Sequence, residues 1–428
     1  MSQRIVIAGA SMGGLRAAER LRAGGFTGEI VAVGDEAHLP YNRPPLSKEA
    51  LASEVTHEAV AFRLRPAVAD VTWRLGVPIA AADLAVRAVR LADGTELAYD
   101  GLVVATGMRP RRLPVPGPVA GRHVVRTLED AATLRAELTP GTRVLVIGAG
   151  FIGCEVAATA RVLGCPVTVV APEAAPMLRP LGAELGAALQ RRHEAEGVSF
   201  LLGRTVRRFL GDGPQAAQPA QPTQPTQPTQ PAQTAKTGGS GTGAGRVSGA
   251  ELSDGTVVEA DVVVEAVGSA SNTEWLDGNG LDLSDGVLCD NALRVEGRSR
   301  LVAVGDVARF PNPRYDEVAR RVEHWSIPTD TAKRAVPSLL ADLGHAAHDP
   351  VPFAPLPTFW SDQYGLRIQS FGAPALGGDD IRVLEGDLGG EVVVGYHDGG
   401  RLVGVVMIGL PSAVARYRTE LMNTPTAA

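Results

Sequence analysis

Two stretches of the chain repeat one pattern of apolar and polar positions. The first begins with the apolar run RIVIA at Arg4–Ala8 and passes through a glycine turn. LRAAERLRAGG follows, with apolar positions at helical spacing, and then EIVAV, which closes on Asp35 and Glu36. The second runs from TRVLVIGAGFIG through CEVAATARVLG to PVTVVAPE, ending at Glu173. Each predicts a buried strand, a tight turn, an amphipathic helix and a second strand, which is a βαβ unit. Further along, GRTVRRFLGD and VSGAELSDGTVVEADVVVEAVG read as strands of one continuing sheet. Between them residues 213–246, rich in PTQ triplets, have no apolar positions to bury. They predict a disordered, polyproline-like hairpin tip rather than a domain linker, since loop entropy grows slowly with length. A role as a proline-rich ligand is the second reading of that tip.

The chemistry of such a unit suits a dinucleotide. Glycines let the backbone approach a pyrophosphate, the helix N-terminus offers free N–H groups, and an acid about 20 residues on reaches ribose hydroxyls. Gly148, Gly150 and Gly153 complete the GxGxxG pattern, whereas the first turn has Gly9 and Gly14 with Ser11 between them. Ser11 narrows the phosphate approach, and its hydroxyl offers a donor in exchange. One such turn is weak support for a ligand, but two in full strand–turn–helix–strand context predict two dinucleotide sites.

Composition narrows the field. A chain of 428 residues, 45% of them hydrophobic, suggests two or three domains with ample core. A net charge of −6 gives no reason to expect nucleic acid as a partner. No stretch reads as a signal peptide or a membrane span. The three cysteines, Cys154, Cys165 and Cys289, form neither a CxxC pair nor a metal-ligand spacing. A cytoplasmic protein with reduced thiols is expected.

The motifs PYNRPPLSK, LVVATGMRP, VVRTLEDA, VIGAGFIGCE, VVAPE, LVAVGDVARF, VEHW and PTFWSDQYGLRIQ occur in that order. Together they resemble the FAD-dependent pyridine-nucleotide oxidoreductases of the glutathione-reductase fold. Within that family they are most similar to the ferredoxin reductases of oxygenase systems, apoptosis-inducing factors and monodehydroascorbate reductases. The resemblance implies an α/β protein with two Rossmann-type domains and a C-terminal α+β domain. The FAD domain would comprise 1–113 and 269–327, the NAD domain 114–268, and the C-terminal domain 328–428.

It also implies roles. Arg43 and Lys48 would face FAD, with Pro44 and Pro45 stiffening the segment between them. Lys48 and Glu155 would form a pair beside the flavin and carry the catalysis. Asp35 would bind the FAD ribose, with Glu36 as a competitor, and Arg126, Asp306 and Trp325 would complete that site along with Gly9, Ser11 and Gly14. A solvated surface charge is the second reading of Arg126. NAD would lie on Gly148, Gly150, Gly153, Glu173, Gly268 and Glu323. Glu173 would repel a 2′-phosphate, and no arginine follows it until Arg179, so NADH is expected over NADPH.

Ser326, Ile327 and Pro328 depart from the Asn-Ala that usually follows the EHW element. His324 reads as a packing residue, as does Cys154, and no dithiol stands near the flavin segment, so disulfide reduction is not expected. The expected partner is a [2Fe-2S] ferredoxin serving a P450 or Rieske oxygenase. Arg109, Arg111, Arg112, Arg320 and Arg321 would form either its docking patch or a solvated face. A small-molecule acceptor and an NADH-sensing flavoprotein are the alternatives. The chain would be a monomer or a homodimer.

Overall fold

The computed structural model describes residues 3–211 and 245–424. Both repeats fold as parallel sheets. In the first, five strands lie in the order Leu301–Ala303, Gly101–Val104, Arg4–Ala8, Glu29–Val33 and Thr72–Arg74. In the second the order is Val198–Leu202, Val167–Ala171, Val144–Ile147, Val262–Glu265 and Arg122–His123. The central strands are apolar on both faces because helices or further strands cover both, as parallel sheets require.

The glycine turns show which positions are constrained. Gly9 has φ +121°, and a Cβ there would meet the Ala105 carbonyl oxygen at 2.1 Å. Gly148 repeats this with φ +101° and the Ala266 oxygen at 2.3 Å. Cβ atoms on Gly14 and Gly153 would lie 2.0 and 2.1 Å from the oxygens of Gly9 and Gly148. At the middle position, Gly150 has nothing within 4 Å. Ser11 therefore breaks the sequence pattern without straining the turn.

The chain leaves the first unit and returns to it along one short antiparallel pair, Met108–Pro110 with Ser269–Ser271. Strands Val206–Gly211 and Val247–Leu252 pair antiparallel with Gly211 opposite Val247, so the PTQ-rich segment connects neighbouring strand ends. Of the expected tip 213–246, residues 213–244 lie outside the described residues.

The expected boundary at 327/328 needs correcting. Helix Ile327–Asp342 crosses it and packs on helix Met12–Ala23, not on the C-terminal sheet. Its stripe Ala332, Ala335, Val336, Leu339 and Leu340 lies at helical spacing and joins the core of the first sheet. Beyond it stands a five-stranded antiparallel sheet ordered Thr358–Gln363, Leu366–Gly372, Arg401–Ile408, Val392–Asp398 and Ile381–Gly386. Ile368, Val392, Val394 and Tyr396 of that sheet share a core with Met177, Leu181, Leu185 and Leu189 of the second unit.

Candidate active site

A cavity of about 510 Å³ lies where the two units and the C-terminal sheet meet. Ser11, the segment Tyr41–Lys48, Arg126, Glu155, Asp306, Glu323 and Trp325 all contribute to its wall. A second cavity of about 180 Å³ shares Ser11, Tyr41, Arg43 and Arg126 with it and extends to Gly9, Asp35 and Glu36. The two form an elongated groove with apolar rings at one end, a helix N-terminus in the middle and carboxylates at the other.

The proline segment is held from both sides. Pro44–Ser47 forms a short 3-10 turn. Arg43 donates to the Arg126 carbonyl at 2.6 Å and to Tyr41 Oη at 3.2 Å, and it pairs with Glu36. Tyr41 also donates to Glu36 and accepts from the Leu128 N–H. Glu36 is thus engaged as the anchor of Arg43. Asp35, exposed to the second cavity, makes no side-chain hydrogen bond among the described residues.

Lys48 Nζ lies 2.7 Å from Glu155 Oε2, and both side chains are largely buried. The carboxylate also accepts from Ser47 Oγ at 2.5 Å and from Ser361 Oγ at 2.6 Å. Nothing in the sequence marked Ser47 or Ser361; only their place inside the motifs PPLSK and FWSDQ could have drawn attention to them.

Asp306 and Arg126 both face the large cavity, and neither side chain makes a hydrogen bond among the described residues. Burial pushes the Asp306 carboxyl up to about 6, against the opposing pull of Arg126. Burial, and then Arg43, pushes Arg126 below its usual value. Arg126 is therefore not a solvated surface charge. Half-buried charges without partners are costly, and a ligand carrying both hydroxyls and phosphates would satisfy them. The wall thus fits FAD.

At the cavity mouth Trp325 is 39% exposed, donates to Asn42 Oδ1 at 3.0 Å and packs edge-on against Trp360. Burial pushes His324 down to about 4, and its ring packs on Phe359, as expected of a packing residue. Ser326, Ile327 and Pro328 still begin a helix, with proline tolerated in the first turn. Glu323 is held by Ser269 Oγ and Arg321.

On the nucleotide side, Gly148, Gly150 and Gly153 surround the start of helix Phe151–Val162 but line neither cavity. Gly268 has φ +93° and open space around it. Glu173 lies 4.0 Å from Arg179, whose side chain is 88% exposed. The five arginines expected as either a docking patch or a solvated face are each engaged locally. Arg109, Arg112, Arg320 and Arg321 are each paired to carboxylates, and Arg111 is turned onto the Ser269 carbonyl. A different groove opens beside Trp325, lined by Arg16, Arg20, Arg65 and Arg418 together with Glu19 and Asp330, with Glu19 paired to Arg16 and Arg65. It gathers residues from distant parts of the chain and left no local signal.

All three cysteines are free and buried, and burial pushes Cys154 up to about 12, so no thiol is poised beside the cavity. Among the described residues no helix is long and apolar enough to cross a membrane, and no cluster of three or more ligating side chains could hold a metal.

Residues 3–332 match the family described as pyridine nucleotide-disulphide oxidoreductase, and residues 358–426 match a reductase C-terminal domain. The chain belongs to the pyridine nucleotide-disulphide oxidoreductases. This oxidoreductase is 35% identical to the ferredoxin–NAD(+) reductase component of the p-cumate 2,3-dioxygenase system of Pseudomonas putida, over 91% of this chain and 85% of that one. It is 33% identical to rhodocoxin reductase of Rhodococcus erythropolis, over 99% and 91% of the two chains. It superposes on the reductase in a covalent putidaredoxin reductase–putidaredoxin complex with TM-score 0.84 and 30% identity, covering 99% and 93%. Members of the family use FAD and NAD(H).

Proposed function

We propose that this oxidoreductase holds FAD in the joined cavities, takes electrons from NADH and passes them singly to a [2Fe-2S] ferredoxin serving an oxygenase. Bound there, FAD supplies what no side chain offers, the conversion of a two-electron donor into one-electron steps. Asp35 accepts from ribose hydroxyls, while Ser11 and the helix N-terminus beside it face the pyrophosphate. Arg126 and Asp306 supply a cation and an acceptor to the polar stem. Lys48 presents its ammonium to the cavity, where it favours reduced, negatively charged flavin, and Glu155 holds it in place. Hydride transfer needs no acid or base, so positioning and fixed charge carry the catalysis. The glycine turn at Gly148–Gly153 receives the pyrophosphate of NADH, and Glu173 receives its ribose. Gly268 and Glu323 stand at the nicotinamide end.

The observation that carries this reading is one cavity lined by the Lys48–Glu155 pair and by unpartnered Arg126 and Asp306, with no dithiol beside it. For the partner, similarity to reductases named for their ferredoxins supports a ferredoxin-type iron–sulfur protein. The groove beside Trp325, with four arginines against Glu19 and Asp330, would complement an acidic ferredoxin. Arg20 and Arg418 there have no carboxylate partner among the described residues, which suits steering of an acidic partner. Free, buried cysteines are consistent with a cytoplasmic location.

Stopped-flow reduction of the FAD-loaded protein by NADH, followed by mixing with a [2Fe-2S] ferredoxin and cytochrome c, tests the proposal. Salt-sensitive cytochrome c reduction that requires the ferredoxin is expected. Equal turnover without ferredoxin would assign a small-molecule acceptor instead. Very slow reduction with a long-lived charge-transfer complex would assign a sensing role.

A further inference from the structure

The Lys48–Glu155 pair is one end of a buried polar chain that spans all three domains. Ser361, on strand Thr358–Gln363, reaches Glu155 Oε1 at 2.6 Å. Gln363 lies two positions along the strand and therefore on the same face. Its Nε2 donates to Ser361 Oγ at 3.0 Å, and its Oε1 meets His193 Nε2 at 2.7 Å. His193 stands on helix Ala183–Ala195 of the second unit. None of Glu155, Ser361, Gln363 and His193 exceeds 5% exposure.

Donor counting fixes the direction of this chain. An amide oxygen only accepts, so His193 donates from Nε2. Burial pushes His193 below its usual value, favouring the neutral ring, and Nδ1, which has no partner among the described residues, is then the unprotonated nitrogen. The Gln363 amide nitrogen only donates, so Ser361 Oγ accepts there and gives its single proton to Glu155. The other oxygen of Glu155 receives Ser47 and Lys48. Every donor in the chain points toward the carboxylate. The turn that carries Gln363 is tight, with Tyr364 and Gly365 at φ +52° and +73°, so the hairpin backbone sets its position.

We infer that Ser361 and Gln363 are positioning residues, dividing the charge of Glu155 between the Ser361 hydroxyl and the Lys48 ammonium and so setting how much of the lysine's field reaches the cofactor cavity. This rests on the proposed function, since the flavin is what senses that field. Without the hydroxyl, Oε1 has no donor and the carboxylate turns its charge more fully onto Lys48. More of the cation's field is cancelled, and the reduced flavin loses stabilisation.

The test is spectroelectrochemical titration of FAD-loaded wild type, Ser361→Ala, Ser361→Thr, Gln363→Met and Glu155→Gln. Ser361→Ala is expected to shift the two-electron reduction equilibrium toward oxidised flavin by about three- to tenfold, a fall of about 14 to 30 mV. Gln363→Met, which frees Ser361 to rotate, should move it the same way by less. Ser361→Thr should restore the wild-type value, and Glu155→Gln should raise the potential. Ser361→Ala at or above the wild-type potential overturns the inference. Should that variant not retain FAD, Gln363→Met at or above the wild-type value does so. A wild-type chain that takes up no FAD overturns the proposed function itself, which separates the two failures.

Discussion

Lys48 and Glu155 come from different dinucleotide units and meet with Nζ 2.7 Å from Oε2 in the wall of one cavity. A lysine on the first unit and a carboxylate on the second tie any change in the field at one site to the position of the other. Lys48→Met keeps length and removes charge. Loss of one partly screened cation from the cavity should lower the flavin midpoint potential by about 30 mV, tenfold in the equilibrium, and slow flavin reduction by NADH. Dye-coupled potentiometry checks this, and an unchanged potential would remove Lys48 from the role.

Asp306 and His324 give the FAD-free protein opposed pH dependences. The folded chain keeps the Asp306 proton up to about pH 6, whereas an ordinary carboxyl loses it near 3.8. Between those values the folded state binds more protons than the unfolded one, so this contribution to stability falls as pH rises. His324 titrates at about 4 when folded and near 6.5 when unfolded, so its contribution rises with pH over that range. Asp306→Asn should therefore stabilise the FAD-free protein by up to about 3 kcal/mol at pH 7 and by only about 0.5 kcal/mol at pH 4. It should also weaken FAD binding. Urea unfolding at the two pH values, with flavin titration at pH 7, measures both effects.

The two βαβ units and their order were legible because a buried parallel strand, a glycine turn and an amphipathic helix each leave a local pattern. Gly9 and Gly148 were readable for the same reason, since each has a neighbouring carbonyl where its Cβ would stand. What could not be read was set by distant partners. Glu36 stood as a competitor to Asp35 because nothing local shows that Tyr41 and Arg43 engage it. The partners of Arg109, Arg111 and Arg112 were not readable because they lie more than 150 residues off in sequence. Helix Ile327–Asp342 was divided by the expected boundary because the EHW element before it and the apolar stripe within it belong to one domain.

The two turns also separate steric need from ligand need. Gly153→Ala would place a Cβ 2.1 Å from a backbone oxygen that has no room to retreat, and should destabilise the second unit by about 2 kcal/mol or more. Gly150→Ser copies the Ser11 arrangement and has nothing within 4 Å, so thermal stability should stay within about 0.5 kcal/mol of wild type. The serine side chain would still intrude where the pyrophosphate approaches, raising the KM for NADH. Calorimetry and steady-state kinetics on the pair distinguish the two needs.

On the proposed function, coenzyme choice would turn on Glu173 and Arg179, which lie 4.0 Å apart. There the carboxylate would accept from ribose hydroxyls and repel a 2′-phosphate, while the arginine, 88% exposed, is free to swing toward one. Removing the carboxylate should therefore do more than abolish a preference. Glu173→Ala should lower kcat/KM for NADH by about tenfold and raise that for NADPH by a similar factor, each about 1.4 kcal/mol. Adding Arg179→Ala to that variant should cancel the NADPH gain without restoring NADH. Wild-type protein with a higher kcat/KM for NADPH than for NADH would refute the assignment of Glu173 as the discriminating residue.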